Sequence, residues 1–283
     1  MSSMKQSDIQ LDGRVVIITG ADRGIGREFS IALAGKGATV ILASPEEKGL
    51  NVLAREIETL GGRAIPHFVD ITSLESCRAL IKFTVEETGH VDVLINNARR
   101  LVRGPGLPPE GNRQPLYEAN PEIYKETVNV NVTGTFFMSR AAVEHFLDQG
   151  KGKIINITTS VWHAYQKNNS PYGVTKAAIE ASTQIWSRDL EGTGVTVNSL
   201  LPGASVASDP KKSAKSGLSL LPIDIMNPLV IWLSSERSDG VTGCRFVGDK
   251  WDPNLSPDMA ALASREEPVF QGQPLGTFIV KTN

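Results

Sequence analysis

The sequence predicts a single α/β domain built on a doubly wound parallel sheet. Three features point there: short, nearly continuous runs of β-branched residues, longer segments of helical period between them, and glycines at the junctions. Residues 14–19 open the series as a buried strand, followed by a glycine-rich turn and an apolar-faced segment from about Ile25 to Gly35. Residues 38–43 read as the second strand, and 46–60 as a charged amphipathic helix stopped by Gly61-Gly62. Segments 64–69, 91–95, 153–158 and 195–200 continue the strands. Runs without polar alternation belong to strands covered on both faces. Asn120-Pro121-Glu122 supplies an N-cap, a first-turn proline and a first-turn acid for one long helix toward Leu147. No linker or shift of composition divides the chain. Residues 1–283 therefore read as one domain, with a core of about 11–248 and an extended, proline-bearing tail of about 250–283.

Composition excludes several classes of function. The chain of 283 residues is 40% hydrophobic and 21% charged, enough for one sizeable core. A net charge of −2 provides no basic field for nucleic acid and no polybasic patch for a membrane. Cys77 and Cys244 stand in no paired motif, and the histidines have no ligand spacing, so neither a disulfide scaffold nor a metal site is expected. The first ten residues lack an apolar signal core, and runs such as 15–18 are far too short to cross a bilayer. The expectation is a soluble, cytoplasmic protein.

Directly after the first strand comes Thr19-Gly20-Ala21-Asp22-Arg23-Gly24-Ile25-Gly26. Glycines at a strand-to-helix junction turn the chain sharply and let backbone N–H groups and a helix N-terminus approach a pyrophosphate. The plain alternative is a turn that only joins strand to helix. With this loop the predicted sheet becomes Rossmann-like. The spacing T-G-x-x-x-G-x-G resembles the nucleotide loop of the short-chain dehydrogenase/reductase family, in its compact, 3-oxoacyl-carrier-protein-reductase-like branch. The similarity runs over about residues 11–248, with further motifs in the family's order.

That resemblance implies a nicotinamide cofactor held by Gly20, Asp22, Arg23, Gly24, Ile25 and Gly26. Asp70, closing the third strand, is implied as acceptor for the adenine amino group, with Ile71 beside it; an N-cap role is the alternative, for which Thr72 and Ser73 compete. Asn96-Asn97-Ala98 resembles the family's N-N-A-G, and Asn97 and Ala98 are placed at the cofactor. Arg99 stands where glycine is usual. Pro202-Gly203 resembles the turn against the carboxamide, but the usual threonine four residues later is Ala207, leaving Ser205 or Ser208 as substitutes. An acid ending the second strand would bind a free 2′-hydroxyl and repel a 2′-phosphate. Here that end reads Leu42-Ala43-Ser44-Pro45, with Arg23 in the loop and Glu46 and Glu47 passing into the next helix. NADP(H) is therefore expected over NAD(H), with Arg23 and Ser44 at the phosphate.

Tyr172-Gly173-Val174-Thr175-Lys176 places a phenol and an ammonium on one helical face. A free phenol holds its proton to about pH 10; a neighbouring cation favours the phenolate. Tyr172 then serves as acid in carbonyl reduction and as base in alcohol oxidation. Lys176 is implied as the ribose ligand. The family's serine lies 13 residues before the tyrosine, which falls on Thr159, or on Ser160 if shifted by one. Asn129-Val130-Asn131-Val132-Thr133-Gly134 resembles V-N-x-x-G and selects Asn131, whose main-chain carbonyl would hold a water leading to Lys176; a helix contact is the alternative. The catalytic set is Tyr172, Lys176, Thr159 and Asn131.

The expected activity is hydride transfer between the cofactor and a small carbonyl or alcohol. A cofactor-binding sensor or scaffold without turnover is the alternative, as is an epimerase or dehydratase on the same scaffold. Substrate choice is assigned to residues 99–119 and 203–220, with Trp162 and Tyr165 as aromatic walls. Arg99, Arg100, Arg103 and Arg113 facing Lys211, Lys212 and Lys215 suggest an anionic substrate, although solvated loops explain them equally. His163 sits near the strand end, where a pocket role is open. Trp186 and Trp232 read as core. The resemblance also implies a homo-oligomer, a tetramer.

Overall fold

The computed structural model describes residues 9–100, 114–206 and 220–269. Its strands are β1 (Val15–Thr19), β2 (Thr39–Ser44), β3 (Arg63–Phe68), β4 (Val93–Asn96), β5 (Gly152–Ile157), β6 (Val195–Leu201), β7 (Arg245–Val247) and β8 (Arg265–Glu266). They form one sheet in the order β3-β2-β1-β4-β5-β6-β7-β8, parallel except for the antiparallel β8. The order reverses between β1 and β4, so a crevice opens at their carboxyl ends, where such sheets take ligands. The six strands expected from β-branched runs are all present. β7 was not expected, because three residues are too few to show a period.

Side chains alternate across the strands. Val16 and Ile18 pack with Phe29 and Leu33 of α1 (Gly24–Ala34), Leu50 and Leu53 of α2 (Glu47–Thr59), and Leu229 and Trp232 of a helix at Asn227–Ser234. Val15 and Ile17 face the other way, toward Cys77 and Leu80 of α3 (Leu74–Thr88) and Met138 and Phe146 of α5 (Thr135–Gln149), with Trp186 of α7 (Tyr172–Asp189) against that cluster. Only β3, at the sheet edge, carries a proline, Pro66, where a missing N–H breaks no ladder. His67 stacks on Phe83, and His145 reaches Gln149; both are structural.

Two expectations need correction. The long helix is not continuous. Asn120 caps α4 (Pro121–Val128) through its side-chain oxygen, but residues Asn129–Gly134 form a π-helical turn before α5 resumes. A π turn inserts one residue into the ladder and is common at functional sites. The segment after 250 is not simply extended, either. Pro257–Ala263 is a helix, and β8 follows it onto the sheet edge.

Candidate active site

The glycine turn leaves β1 at the sheet's switch point. Gly20 and Gly24 have φ of +64° and +57°, and nothing lies within 4 Å of where a Gly24 side chain would project, so its backbone faces open space. Gly26 has the opposite surroundings: a Cβ there would come within 2.2 Å of the Gly20 carbonyl oxygen and 2.5 Å of Asn97 Nδ2. The turn is held from below by β4. Asn97 Nδ2 donates to the Thr19 and Gly20 carbonyls at 2.9 and 3.1 Å, while the Asn97 and Ala98 amides both donate to Thr19 Oγ1 at 3.1 Å. Ile25 packs against the core cluster beneath. An open cradle of backbone N–H groups at a helix N-terminus fits a pyrophosphate.

At the outer end of the crevice the structure adds a group the sequence reading placed only in the loop. Ser44 is buried, and its hydroxyl donates to Asp22 Oδ1 at 2.6 Å. The second strand therefore does end on a carboxylate, delivered from the glycine turn, and the Ser44 proton is already committed. Arg23 is 80% exposed, with Nε 3.4 Å from Asp22 Oδ2. Asp70 does not cap α3. Ser73 does, accepting from the Ser76 amide at 3.2 Å, while Asp70 Oδ1 accepts from the amide and hydroxyl of Thr72 at 2.9 and 2.7 Å. Ile71 beside it is buried against Gly134 of the π turn.

The tyrosine–lysine pair opens α7. Gly173 lets that end approach a short helix, α6 (Val161–Ala164): a Cβ there would lie 1.9 Å from the Ala164 carbonyl oxygen. Tyr172 is half-buried, and Lys176 Nζ lies 5.9 Å from its ring centroid. Lys176 is 5% exposed and donates to the Ile157 carbonyl at the end of β5, at 2.5 Å. Burial first, then the nearby Arg99 guanidinium, pull its pKa down to about 7, against the opposing pull of Glu180.

Asn131, in the π turn, is buried; its Nδ2 donates to Thr175 Oγ1 at 3.1 Å, and Oδ1 accepts from the Arg100 amide at 2.7 Å. Its main-chain carbonyl accepts from Thr135 Oγ1 at 2.8 Å, so the carbonyl expected to hold a water has one lone pair already taken. The three hydroxyls ending β5 divide their work. Thr158 is buried and donates to Glu180 Oε1 at 2.6 Å; Ser160 caps α6, accepting from the His163 amide at 3.3 Å; Thr159 is half-buried between them.

Two residues were missed. Glu180, four residues after Lys176, and Arg245 of β7 form a buried ion pair at 3.2 Å, with exposures of 4% and 1%. Arg245 also donates to the Thr159 carbonyl at 3.3 Å and pairs with Glu266, while Ser199 Oγ donates to Glu180 at 3.1 Å. The available signal was a lone arginine within the apolar run 244–247. Arg99, noted as a departure from glycine and as one of the loop cations, stands over the Tyr172 ring at 6.0 Å from its centroid. Pro202-Gly203 follows β6; the Pro202 carbonyl accepts from the Asp249 amide at 3.1 Å, and the Asp249 carboxylate fills the space beside Gly203. His163 Nε2 and Ser205 Oγ are 3.1 Å apart, so this serine is engaged. Arg103, Arg113, Ala207, Ser208, Lys211, Lys212 and Lys215 lie outside the described residues. Among the described residues no cluster of ligating side chains could hold a metal, and no helix is long and apolar enough to cross a membrane.

A phosphate cradle at the switch point of a doubly wound sheet defines a dinucleotide-binding protein. Comparison with known proteins narrows that class. Residues 14–217 match the short chain dehydrogenase family, and the chain belongs to it: it is a nicotinamide-dependent oxidoreductase acting on carbonyl or alcohol groups. Its relatives include the 3-oxoacyl-[acyl-carrier-protein] reductase of Thermotoga maritima, 28% identical over 83% of this chain and 96% of that protein. The 2-dehydro-3-deoxy-D-gluconate 5-dehydrogenase of Escherichia coli is 29% identical over 86% and 96%. A crystal structure of a short-chain type dehydrogenase/reductase from Mycobacterium marinum superposes with a TM-score of 0.74 at 27% identity, covering 86% of this chain and 96% of that one.

Proposed function

We propose that the chain uses NADP(H), with Tyr172 as the proton donor in carbonyl reduction and the acceptor in alcohol oxidation. One observation carries this reading: Tyr172 and Lys176 meet over the end of β5, with Lys176 buried and hydrogen-bonded to that strand. When bound, the nicotinamide supplies or accepts the hydride at carbon. The phenol gives its proton to the carbonyl oxygen, so that no unpaired charge is left in a closed site. The Thr159 hydroxyl is the orienting donor to that oxygen, because Thr158 has committed its proton to Glu180 and the Ser160 oxygen is turned to the α6 N-terminus. Lys176 holds the ribose and so sets the ring for transfer. Asn131 ties the π turn to α7 through Thr175 and keeps the pair in register. Gly20, Gly24, Gly26, Asn97 and Ala98 form the pyrophosphate side; Asp70 and Ile71 border the adenine, and Pro202-Gly203 the carboxamide.

The preference for NADP(H) rests on Arg23, exposed and able to swing onto a 2′-phosphate. Asp22 opposes it, so the margin is modest, about tenfold in affinity. Fluorescence titration with NADPH and NADH, followed by rates over a carbonyl panel with each, tests both parts. Arg23→Ala should erase the margin. Equal affinities that Arg23→Ala leaves untouched would remove the NADP(H) assignment.

We also propose a homo-oligomer, a tetramer. Phe136 on α5 and Val174 and Ile185 on α7 are 46%, 50% and 55% exposed, an apolar face suited to isologous pairing. Light scattering should return a mass near four chains; a persistent monomer at working concentration contradicts it.

A further inference from the structure

We propose that Arg99 is the anion receptor of the substrate site, and that the substrate carries a carboxylate close to its reacting carbonyl. The proposal rests on Tyr172 as the proton donor and adds to it the chemical class of the substrate.

Arg99 stands three residues beyond β4, at the mouth of the crevice. Its guanidinium is exposed and lies over the Tyr172 ring, 6.0 Å from the centroid. Its neighbour Arg100 is committed: the side chain pairs with Glu126 at 2.6 Å, and the amide is held by Asn131. Among the described residues no carboxylate pairs with Arg99. The ring therefore has a cation on each contact, Arg99 at 6.0 Å and the Lys176 ammonium at 5.9 Å. The nearest acid on α7, Glu180, is used by Arg245, Thr158 and Ser199. The two cations repel, which is one cause of the depressed Lys176 pKa.

Positive charge with no carboxylate partner among the described residues, placed at a reacting centre, is a recognition element for an anion. The oxidised nicotinamide is itself positive and cannot provide it. A guanidinium presents a planar fork that matches a carboxylate with two parallel hydrogen bonds. With the guanidinium 6.0 Å from the centroid of the Tyr172 ring, the proposed carboxylate lies close to the reacting carbonyl, as in a 2-oxo or 3-oxo acid. A simple ketone leaves the guanidinium without a partner.

The test pairs 2-oxo and 3-oxo carboxylates of graded chain length with their methyl esters, on the wild-type protein and on Arg99→Gly and Arg99→Lys. Melting temperature and NADPH binding verify that each variant is folded. The expected wild-type result is a kcat/KM ratio of acid over ester of about 10–100. Arg99→Gly should bring that ratio to one or below, and Arg99→Lys should retain part of it. A wild-type ratio near one, or one that Arg99→Gly does not move, overturns the proposal. If Arg99 acts only on the phenol, Arg99→Gly slows acid and ester equally and shifts the pH profile, which also overturns it. A second measurement separates this idea from the underlying reading. Calorimetric titration of the same acids and esters into the NADPH-loaded protein should show acid-selective binding that Arg99→Gly abolishes. Acid-selective binding without any turnover overturns the reading of Tyr172 as proton donor to these carbonyls and keeps the anion site; no selective binding overturns the anion site.

Discussion

Tyr172→Phe is expected to lower turnover by about 10²–10⁴-fold, the usual loss for a positioned acid or base, with cofactor affinity nearly intact. The ring and its packing beneath Arg99 and beside Lys176 stay, and only the exchangeable proton goes. Lys176→Met separates the roles, because it removes the ribose ligand as well and should damage both turnover and cofactor binding. It should also stabilise the cofactor-free fold at neutral pH. The native Lys176 has its pKa lowered from 10.5 to about 7, so between those values the unfolded chain holds a proton that the folded chain has lost. Wild-type stability therefore rises with pH across that window, and the penalty is complete below it. The advantage of Lys176→Met should be largest below pH 7 and fade toward pH 10.5. Steady-state kinetics, cofactor titration and denaturation at several pH values read these outcomes. A folded Tyr172→Phe protein working at the parental rate would refute the mechanism.

The second large effect concerns the fold beside the site. Arg245→Met leaves Glu180 without its cation in a position 4% exposed to solvent. Breaking a buried pair from one side costs about 3–5 kcal/mol, because the remaining charge has nowhere to go. Thr158 and Ser199 still donate to Glu180, which softens the loss without replacing a full charge. Removing both partners, with Glu180→Met and Arg245→Met together, should recover most of that stability, since apolar groups of similar volume replace the ions. Urea unfolding of the parent, Glu180→Met, Arg245→Met and the double variant closes the cycle. An Arg245→Met protein within about 1 kcal/mol of its parent would mean the pair is not the clamp it resembles.

Much of this architecture was legible in the residues. Fully buried parallel strands announce themselves as unbroken Val/Ile runs, and the Asn120 cap and the Gly-rich turn occupy the positions that backbone chemistry demands. The Tyr172–Lys176 pairing follows from helical spacing alone. What stayed hidden arises from contacts between distant segments. Asp22 reaches Ser44 across 22 positions, and Glu180 meets Arg245 across 65, so no local pattern reports either. The π turn was hidden for another reason: residues 129–134, Asn-Val-Asn-Val-Thr-Gly, are weak helix formers, but weak propensity does not reveal an extra residue, which shows only in the hydrogen-bond ladder. The helix at Pro257–Ala263 escaped because one apolar stripe of seven residues is too short to establish a period.

That π turn makes chain length, as well as side-chain identity, a determinant of the site. In a regular α-helix each residue advances the face by about 100°, and the wide π turn takes in one residue more without changing the phase of the helices on either side. Deleting one residue from 129–134 would close it to a regular ladder and re-aim the residues within the turn. Asn131 would leave Thr175, and Arg100, bound through its amide to Asn131, would lose its anchor with Arg99 next to it. A point substitution in α4 changes one contact, whereas a one-residue deletion in the turn breaks the links to α7 and to Arg100 at once. The segment from 129 to 134 thus works as a spacer whose count of residues matters, and insertions or deletions there should be far less tolerated than replacements.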